Sequence, residues 1–132
     1  MSERIIDHIS LNVADFAAMT AFYEKALGPL GVKIMMRISK EVTGGFEIAG
    51  LGREKPFLWI AEVGKTEPHM HLAIRAESNA EVHAFHEAAL AAGGRDNGAP
   101  GPRPHYHANY YGAFIIDPEG HNLEAVCHEA DA

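Results

Sequence analysis

The chain has 132 residues, of which 47% are hydrophobic, and this length and composition are typical of one compact folded domain. Its net charge of −7 and the lack of a long basic run argue against nucleic acid or an anionic membrane as a partner, because both need clustered Lys and Arg. A small molecule or another protein remains as the expected partner.

The sequence favours a cytoplasmic protein with no membrane partner. No apolar run reaches the length of a bilayer span, and the first residues, "MSERIIDHIS", have neither the apolar core nor the cleavage site of a signal peptide. Cys127, as the single cysteine, cannot form an internal disulfide, which agrees with a reducing compartment.

The first predicted elements are a strand and a helix. In the strand, apolar and polar residues alternate, which places them on opposite faces. The apolar face contains Ile5, Ile9, Leu11 and Val13, and the polar face contains His8, Ser10 and Asn12. Asp15 is the expected N-cap of the helix that follows. Three shorter strand-like segments complete this half: "KIMMRIS", "TGGFEIAG" and "KPFLWIAEV".

The same plan recurs in the second half of the chain. A shift of 71 − 8 = 63 residues without gaps aligns His8 with His71, Phe22 with Phe85, Leu27 with Leu90 and Gly31 with Gly94. Ser78 takes the place of Asp15 as N-cap. After this helix come an unclear strand within "GRDNGAPGPRPHYHA" and then "YYGAFIID" and "HNLEAVCHE"; the stretch from Asp96 to Asn109 is the one long irregular segment.

These patterns predict an α+β fold. Two paired βαβββ modules, at about residues 4–63 and 67–128 of a single domain 1–132, would form a curved mixed sheet around a cleft, with the helices on the outer face.

Glu124 is the residue that most needs an explanation in the last strand. It shares a polar face with Asn122, while Leu123 and Ala125 point the other way. A lone glutamate there is most simply exposed to water. However, His8, His71 and Glu124 lie on the polar faces of three strands, and two imidazoles with one carboxylate bind a divalent metal from one side.

The paired modules, with "HISLNVAD", "HLAIRAES" and "FIIDPEGHNLEAV" at corresponding places, resemble the vicinal oxygen chelate superfamily. That superfamily includes glyoxalase I, extradiol dioxygenases, and bleomycin and fosfomycin resistance proteins. The resemblance implies that His8, His71 and Glu124 are the metal ligands. It also implies that such short chains often form their cavities by pairing modules, so we expect a homodimer.

One ligand expected from the resemblance is missing. Glyoxalase I enzymes usually have Glu or Gln at the position of the first module that corresponds to Glu124 in the second module. Here a gapless shift of 64 residues places Ile60 at that position, and a change of one residue places Trp59 there. Glu62 is a further candidate. The three-ligand set is closer to the dioxygenase pattern.

The segment "RPHYHANYY" supplies candidates for proton transfer near the cleft. His107 and Tyr111, with Glu124, are the predicted catalytic residues, because imidazole and phenol groups donate hydrogen bonds or move protons. The tyrosines would equally well fill the edge of the core.

The sequence therefore leads to two hypotheses. The first is a divalent-metal-dependent enzyme, either a dioxygenase or a lyase or isomerase, that acts on a small substrate with vicinal oxygens; Fe(II) or Mn(II) is favoured and Zn(II) or Ni(II) is possible. The second is a metal-free protein that binds or sequesters a small molecule, such as an antibiotic, with Trp59 lining the cavity.

Overall fold

A computed structural model describes residues 5–129 and has the predicted α+β architecture. Two four-stranded mixed sheets are present, with strand orders β1-β4-β3-β2 and β5-β8-β7-β6. The ends of the predicted domain, residues 1–4 and 130–132, lie outside the described residues. Each sheet and its main helix form one βαβββ module.

The first module follows the predicted order, with one short extra helix. Its elements are β1 (Ile9–Asn12), α1 (Phe16–Leu27), a 3₁₀ turn (Gly28–Leu30), β2 (Lys33–Ile38), α2 (Lys40–Thr43), β3 (Ile48–Gly52) and β4 (Pro56–Ala61). The side chain of Asp15 accepts a hydrogen bond from the amide of Ala18, so the predicted N-cap is confirmed.

The second module repeats the order with a longer third element. It contains β5 (His71–Arg75), α3 (Asn79–Ala91), β6 (Arg95–Pro102), β7 (Tyr111–Ile116) and β8 (Asn122–Cys127). Ser78 caps α3 as predicted. The stretch expected to be irregular begins with β6, an edge strand that pairs only with β7. Its prolines are tolerated because an edge strand needs hydrogen bonds on one side only.

Both modules share one hydrophobic core. Helices α1 and α3 pack against each other, and buried residues of both sheets belong to the same cluster, including Leu11, Phe22, Ile74, Phe85 and Leu123. A Cβ atom at Gly94, after α3, would lie 3.0 Å from the ring of Phe22 in α1. The polar face of each sheet is therefore the side that points away from this shared core.

The turn between β7 and β8 joins the second module to helix α1. The carboxylate of Glu119 accepts hydrogen bonds from the amides of Ala14 and Asp15, at the N-terminus of α1. The hydroxyl of Tyr23 in α1 donates to Oδ2 of the buried Asp117 (2.5 Å). Among residues 5–129, no helix is long and apolar enough to cross a membrane.

Candidate functional site

Glu124 is completely buried, although it lies on the face of β8 away from the core. Leu123, Ala125 and Cys127 point into the shared core, as their alternation predicted. The simplest expectation for Glu124, exposure to water, is therefore wrong: its relative exposure is 0%. A buried carboxylate needs hydrogen-bond partners, because an unpaired charge in such a place is strongly destabilising.

Two side chains supply those partners, one for each carboxylate oxygen. The Nε2–H of His71 in β5 donates to Oε1 (2.7 Å), and the hydroxyl of Tyr110 donates to Oε2. His71 itself remains half-exposed, whereas the side chain of Glu124 is fully buried. Burial, together with the hydrogen bond to Glu124, raises the pKa of Tyr110 well above its ordinary value.

Aromatic and imidazole rings surround Tyr110. Edge-on contacts join its ring to Tyr106 (4.9 Å between centroids), His107 (5.1 Å) and His128 (5.4 Å). The rings of His107 and His128 stack at 4.8 Å. His107 thus contacts the tyrosine that reaches Glu124, and its Nδ1–H donates to the carbonyl of Ala108. Its catalytic role stays a prediction.

Tyr111 lies on the face of β7 opposite to the one next to Glu124. Its hydroxyl is hydrogen bonded to Nε2 of His83 in α3 (2.6 Å), on the helix side of the sheet. Its predicted catalytic role also stays a prediction, whereas its neighbour Tyr110 is the tyrosine that reaches Glu124. Successive residues of a strand point to opposite faces. Because the start of β7 after the irregular segment could not be predicted, the sequence did not show whether Tyr110 or Tyr111 would face the site.

His8 is held by a neighbouring carboxylate. Its Nδ1–H donates to Oδ1 of Asp7 (2.7 Å), and this hydrogen bond, followed by the charge of Lys55, lowers the pKa of Asp7. The bond leaves Nε2 of a half-exposed imidazole free. A carboxylate that orients a histidine in this way is the usual support of a metal ligand.

His8 does not join His71 and Glu124 within one chain. Among residues 5–129, no three His, Cys, Asp or Glu side chains lie close enough together to hold a metal ion. His8 lies one residue before β1, outside the strand in which it was predicted. The two sheets bury their apolar faces together, so the face that carries Glu124 points away from the shared core. Each module thus provides part of the expected ligand set.

The strand register identifies the residue that corresponds to Glu124 in the first module. In the parallel pair β5–β8, Ala73 lies opposite Glu124; in β1–β4, Ser10, which the 63-residue repeat aligns with Ala73, lies opposite Trp59. Trp59 therefore occupies the place of the fourth ligand, and indole does not bind metal. Glu62 lies beyond β4, is exposed, and accepts a hydrogen bond from the amide of Glu47.

Trp59 forms part of an apolar surface on the face of the first sheet that points away from the shared core. Its ring lies directly against Gly50, where an added Cβ would come within 2.6 Å of it. Met36, which pairs with Gly50 on the other side, is 49% exposed. A flat, partly accessible surface thus stands where the second module has its buried carboxylate.

A groove of about 730 Å³ separates the free edges of the two sheets. Strand β1 pairs only with β4, and β5 pairs only with β8, among the strands of residues 5–129. The groove is lined by residues of both edges, including Ile6, Ile9, Phe57 and Leu72. Ile5 and Ile6 beside it are 90% and 78% exposed. Such exposed apolar residues beside unpaired strand edges are typical of a surface that another chain covers.

Sequence and structure comparisons identify the family. The family model described as Glyoxalase/Bleomycin resistance protein/Dioxygenase superfamily matches residues 5–125. The chain belongs to this superfamily, and the resemblance seen in its sequence motifs is confirmed. A comparison with curated proteins finds no significant match.

Solved structures share the fold. A glyoxalase/bleomycin resistance protein from Albidiferax ferrireducens T118 is 24% identical, with 96% of this chain and 100% of that chain covered and a TM-score of 0.68. A glyoxalase I mutant from Zea mays is 25% identical, with a TM-score of 0.69; the match covers 92% of this chain but only 46% of the maize chain. A family enzyme from Burkholderia phytofirmans PsJN is 20% identical, with 94% and 98% coverage and a TM-score of 0.67.

Proposed function

We propose that the protein is a divalent-metal-dependent enzyme of this superfamily that acts on a small substrate with two adjacent oxygens. In this proposal a homodimer completes the site, with His8 from one copy and His71 and Glu124 from the other. The single observation that carries the proposal is the buried Glu124 carboxylate, whose Oε1 lies 2.7 Å from Nε2 of the half-exposed His71. A carboxylate and an imidazole this close together are two of the three ligands of the 2-His-1-carboxylate arrangement.

The donor atoms fit a divalent metal. Nε2 of His71 and Oε1 of Glu124 are a nitrogen and an oxygen 2.7 Å apart, and the hydrogen bond to Asp7 occupies Nδ1 of His8 rather than its Nε2. Two imidazoles and one carboxylate suit Fe(II) or Mn(II), while Zn(II) and Ni(II) are also bound by such ligands. The absence of a carboxylate at Trp59 favours a three-ligand site over the four-ligand site of glyoxalase I.

The roles of the remaining groups follow from their positions. When bound, the metal would act as a Lewis acid for two adjacent oxygens of the substrate. Tyr110 keeps Glu124 in place, and the exposed His107, next to Tyr110, is positioned to exchange a proton with solvent. This set of groups serves a dioxygenase as well as a lyase or isomerase, since each needs a bound pair of oxygens and a proton carrier.

Elemental analysis of the protein, purified without chelator or affinity tag, tests the proposal. We expect about one transition metal per chain in the wild type and its loss in both His8→Ala and Glu124→Ala. His69→Ala is the matched control, because it removes a nearby histidine that is not among the proposed ligands. Wild-type protein that takes up no Fe(II), Mn(II), Ni(II) or Zn(II) would refute the proposal.

A metal-free binding protein is the second candidate, and Trp59 is the observation that favours it. Its ring lies flat against Gly50, and the half-exposed Met36 extends the same apolar surface. Because Trp59 is the only tryptophan, its fluorescence reports on this surface alone. Saturable quenching of metal-free protein by an antibiotic such as bleomycin, unchanged in His8→Ala, would support this second function.

A further inference from the structure

We infer that Tyr110 is a positioning residue that fixes the orientation of the Glu124 carboxylate. Its hydroxyl donates to Oε2 and thereby keeps Oε1 directed toward His71. This inference rests on the proposed function, because it assigns to Tyr110 the task of preparing a metal ligand. Sequence patterns alone did not distinguish Tyr110 from Tyr111.

The backbone around Tyr110 is closed into a compact loop. The carbonyl of Tyr110 accepts a hydrogen bond from the amide of Arg103 (2.7 Å), and the amide of Tyr110 donates to the carbonyl of His107 (3.3 Å). Within the loop, the amide of Tyr106 donates to the carbonyl of Arg103 (3.0 Å). These bonds fix the start of the Tyr110 side chain relative to β7.

Aromatic neighbours flank the ring of Tyr110. Tyr106, His107 and His128 contact this half-buried ring edge-on, and these contacts favour its position next to Glu124.

Gly112 leaves the space in which Tyr110 and Glu124 meet. A Cβ atom at this position would lie 3.2 Å from Cε1 of Tyr110 and 3.3 Å from Oε2 of Glu124. Both distances are shorter than ordinary van der Waals contacts. The glycine in β7 thus permits the hydrogen bond, which the loop and the surrounding rings hold in place.

The consequence concerns rotation of the carboxylate. The terminal torsion of a glutamate is broad and has no strong intrinsic preference, so the side chain alone does not fix the orientation of the carboxylate plane. Hydrogen bonds to ligating carboxylates are typically worth 10- to 100-fold in metal affinity. Tyr110 supplies such a bond to the oxygen that does not face His71.

Replacement of each of the two adjacent tyrosines tests the inference. Co(II) serves as the probe, and its affinity and visible absorption spectrum are measured in Tyr110→Phe and Tyr111→Phe. We expect Tyr110→Phe to weaken Co(II) binding by about 10- to 100-fold and to change the spectrum of the bound ion. Tyr111→Phe removes a tyrosine hydroxyl from the next residue, which points to the helix side of the sheet, and we expect less than about a twofold change. Equal Co(II) affinity in Tyr110→Phe and wild type would overturn the inference.

A metal-free double-mutant cycle separates this inference from the proposed function. In urea unfolding, Tyr110→Phe should change the unfolding equilibrium constant by about tenfold in the wild type but by less than about twofold in Glu124→Ala. If the wild type binds no Co(II), the proposed function fails, and the cycle alone decides whether Tyr110 orients Glu124. Equal effects of Tyr110→Phe in the two backgrounds would overturn the inference, whether or not metal is bound.

Discussion

At the scale of single residues, Glu124 is a buried carboxylate that two side chains hold from opposite sides. Burial of a charged group is costly, and each missing hydrogen bond adds about 1–3 kcal/mol to that cost. His71 and Tyr110 provide one bond for each oxygen. This arrangement depends on the small residue beneath it, since Gly112 leaves room for both the phenol ring and the carboxylate.

Substitution of Gly112 should therefore destabilise the protein. The Cβ atom of Gly112→Ala would press on both Tyr110 and Glu124, so we expect the free energy of unfolding to fall by about 1–3 kcal/mol, as for other overpacked sites. Gly45→Ala is the control, because a Cβ at that exposed position meets no atom within 4 Å. Urea unfolding measures both, and equal stability of the two variants would contradict the predicted contact.

At the scale of secondary-structure elements, the turn between β7 and β8 stabilises a helix of the other module. The carboxylate of Glu119 accepts hydrogen bonds from two amides at the N-terminus of α1, where it also interacts favourably with the helix dipole. Tyr23 and Asp117 form a second, buried contact between the same two elements. The relative position of the modules thus depends on specific polar contacts as well as on the apolar core.

Loss of the Glu119 carboxylate should weaken this contact. We expect Glu119→Ala to lower the free energy of unfolding by about 0.5–2 kcal/mol, which is the range for loss of a helix cap. Glu24→Ala removes the same charge from an exposed position within α1 itself and should have less than about 0.5 kcal/mol of effect. If chemical denaturation gives the same change for both variants, Glu119 does not act as a cap.

The contact between Tyr23 and Asp117 should make stability depend on pH in the alkaline range. Burial, and then the charge of Asp117, raises the pKa of Tyr23 well above its ordinary value. The folded state therefore holds this proton more tightly than the unfolded state, so the contribution is complete below about pH 10 and is lost as the pH rises toward the folded pKa.

Tyr23→Phe tests this dependence. At pH 7 we expect a loss of about 1–3 kcal/mol, because the buried Asp117 loses a hydrogen bond. Above about pH 10 the difference in unfolding free energy between wild type and variant should narrow. Tyr106→Phe, at an exposed tyrosine, should show neither effect. A difference that stays constant from pH 7 to 11 would contradict the role of the Tyr23 proton.

At the scale of the whole molecule, periodic patterns predicted the architecture, and irregular segments limited what could be predicted of the site. Alternation placed Glu124 opposite the core face, and the caps at Asp15 and Ser78 marked the helices correctly.

The fourth-ligand position could not be fixed, because Trp59 and Glu124 are 124 − 59 = 65 residues apart whereas the first strands of the modules are 63 apart. A gapless shift misses a two-residue insertion. The shared core of the two modules could not be predicted either, because the apolar face of a strand or helix does not indicate which element packs against it.

The shared core has the main consequence for function. Because the polar faces of both sheets point away from it, His8 of one chain does not meet His71 and Glu124 of the same chain. In the proposed site, a second copy would supply the missing ligand. The free edges of β1 and β5, the groove between them and the exposed Ile5 and Ile6 form the surface that we propose for that copy.

Mixing two inactive variants tests this central claim most directly. His8→Ala and Glu124→Ala chains are unfolded together, refolded as an equal mixture, and assayed for bound metal. In a twofold-symmetric dimer with sites shared between chains, each mixed dimer has one site with all three ligands intact, so we predict about one metal per four chains in the mixture and none in either variant alone. A mixture that binds no more metal than the separate variants, although mass analysis shows mixed dimers, would contradict a site built from two chains.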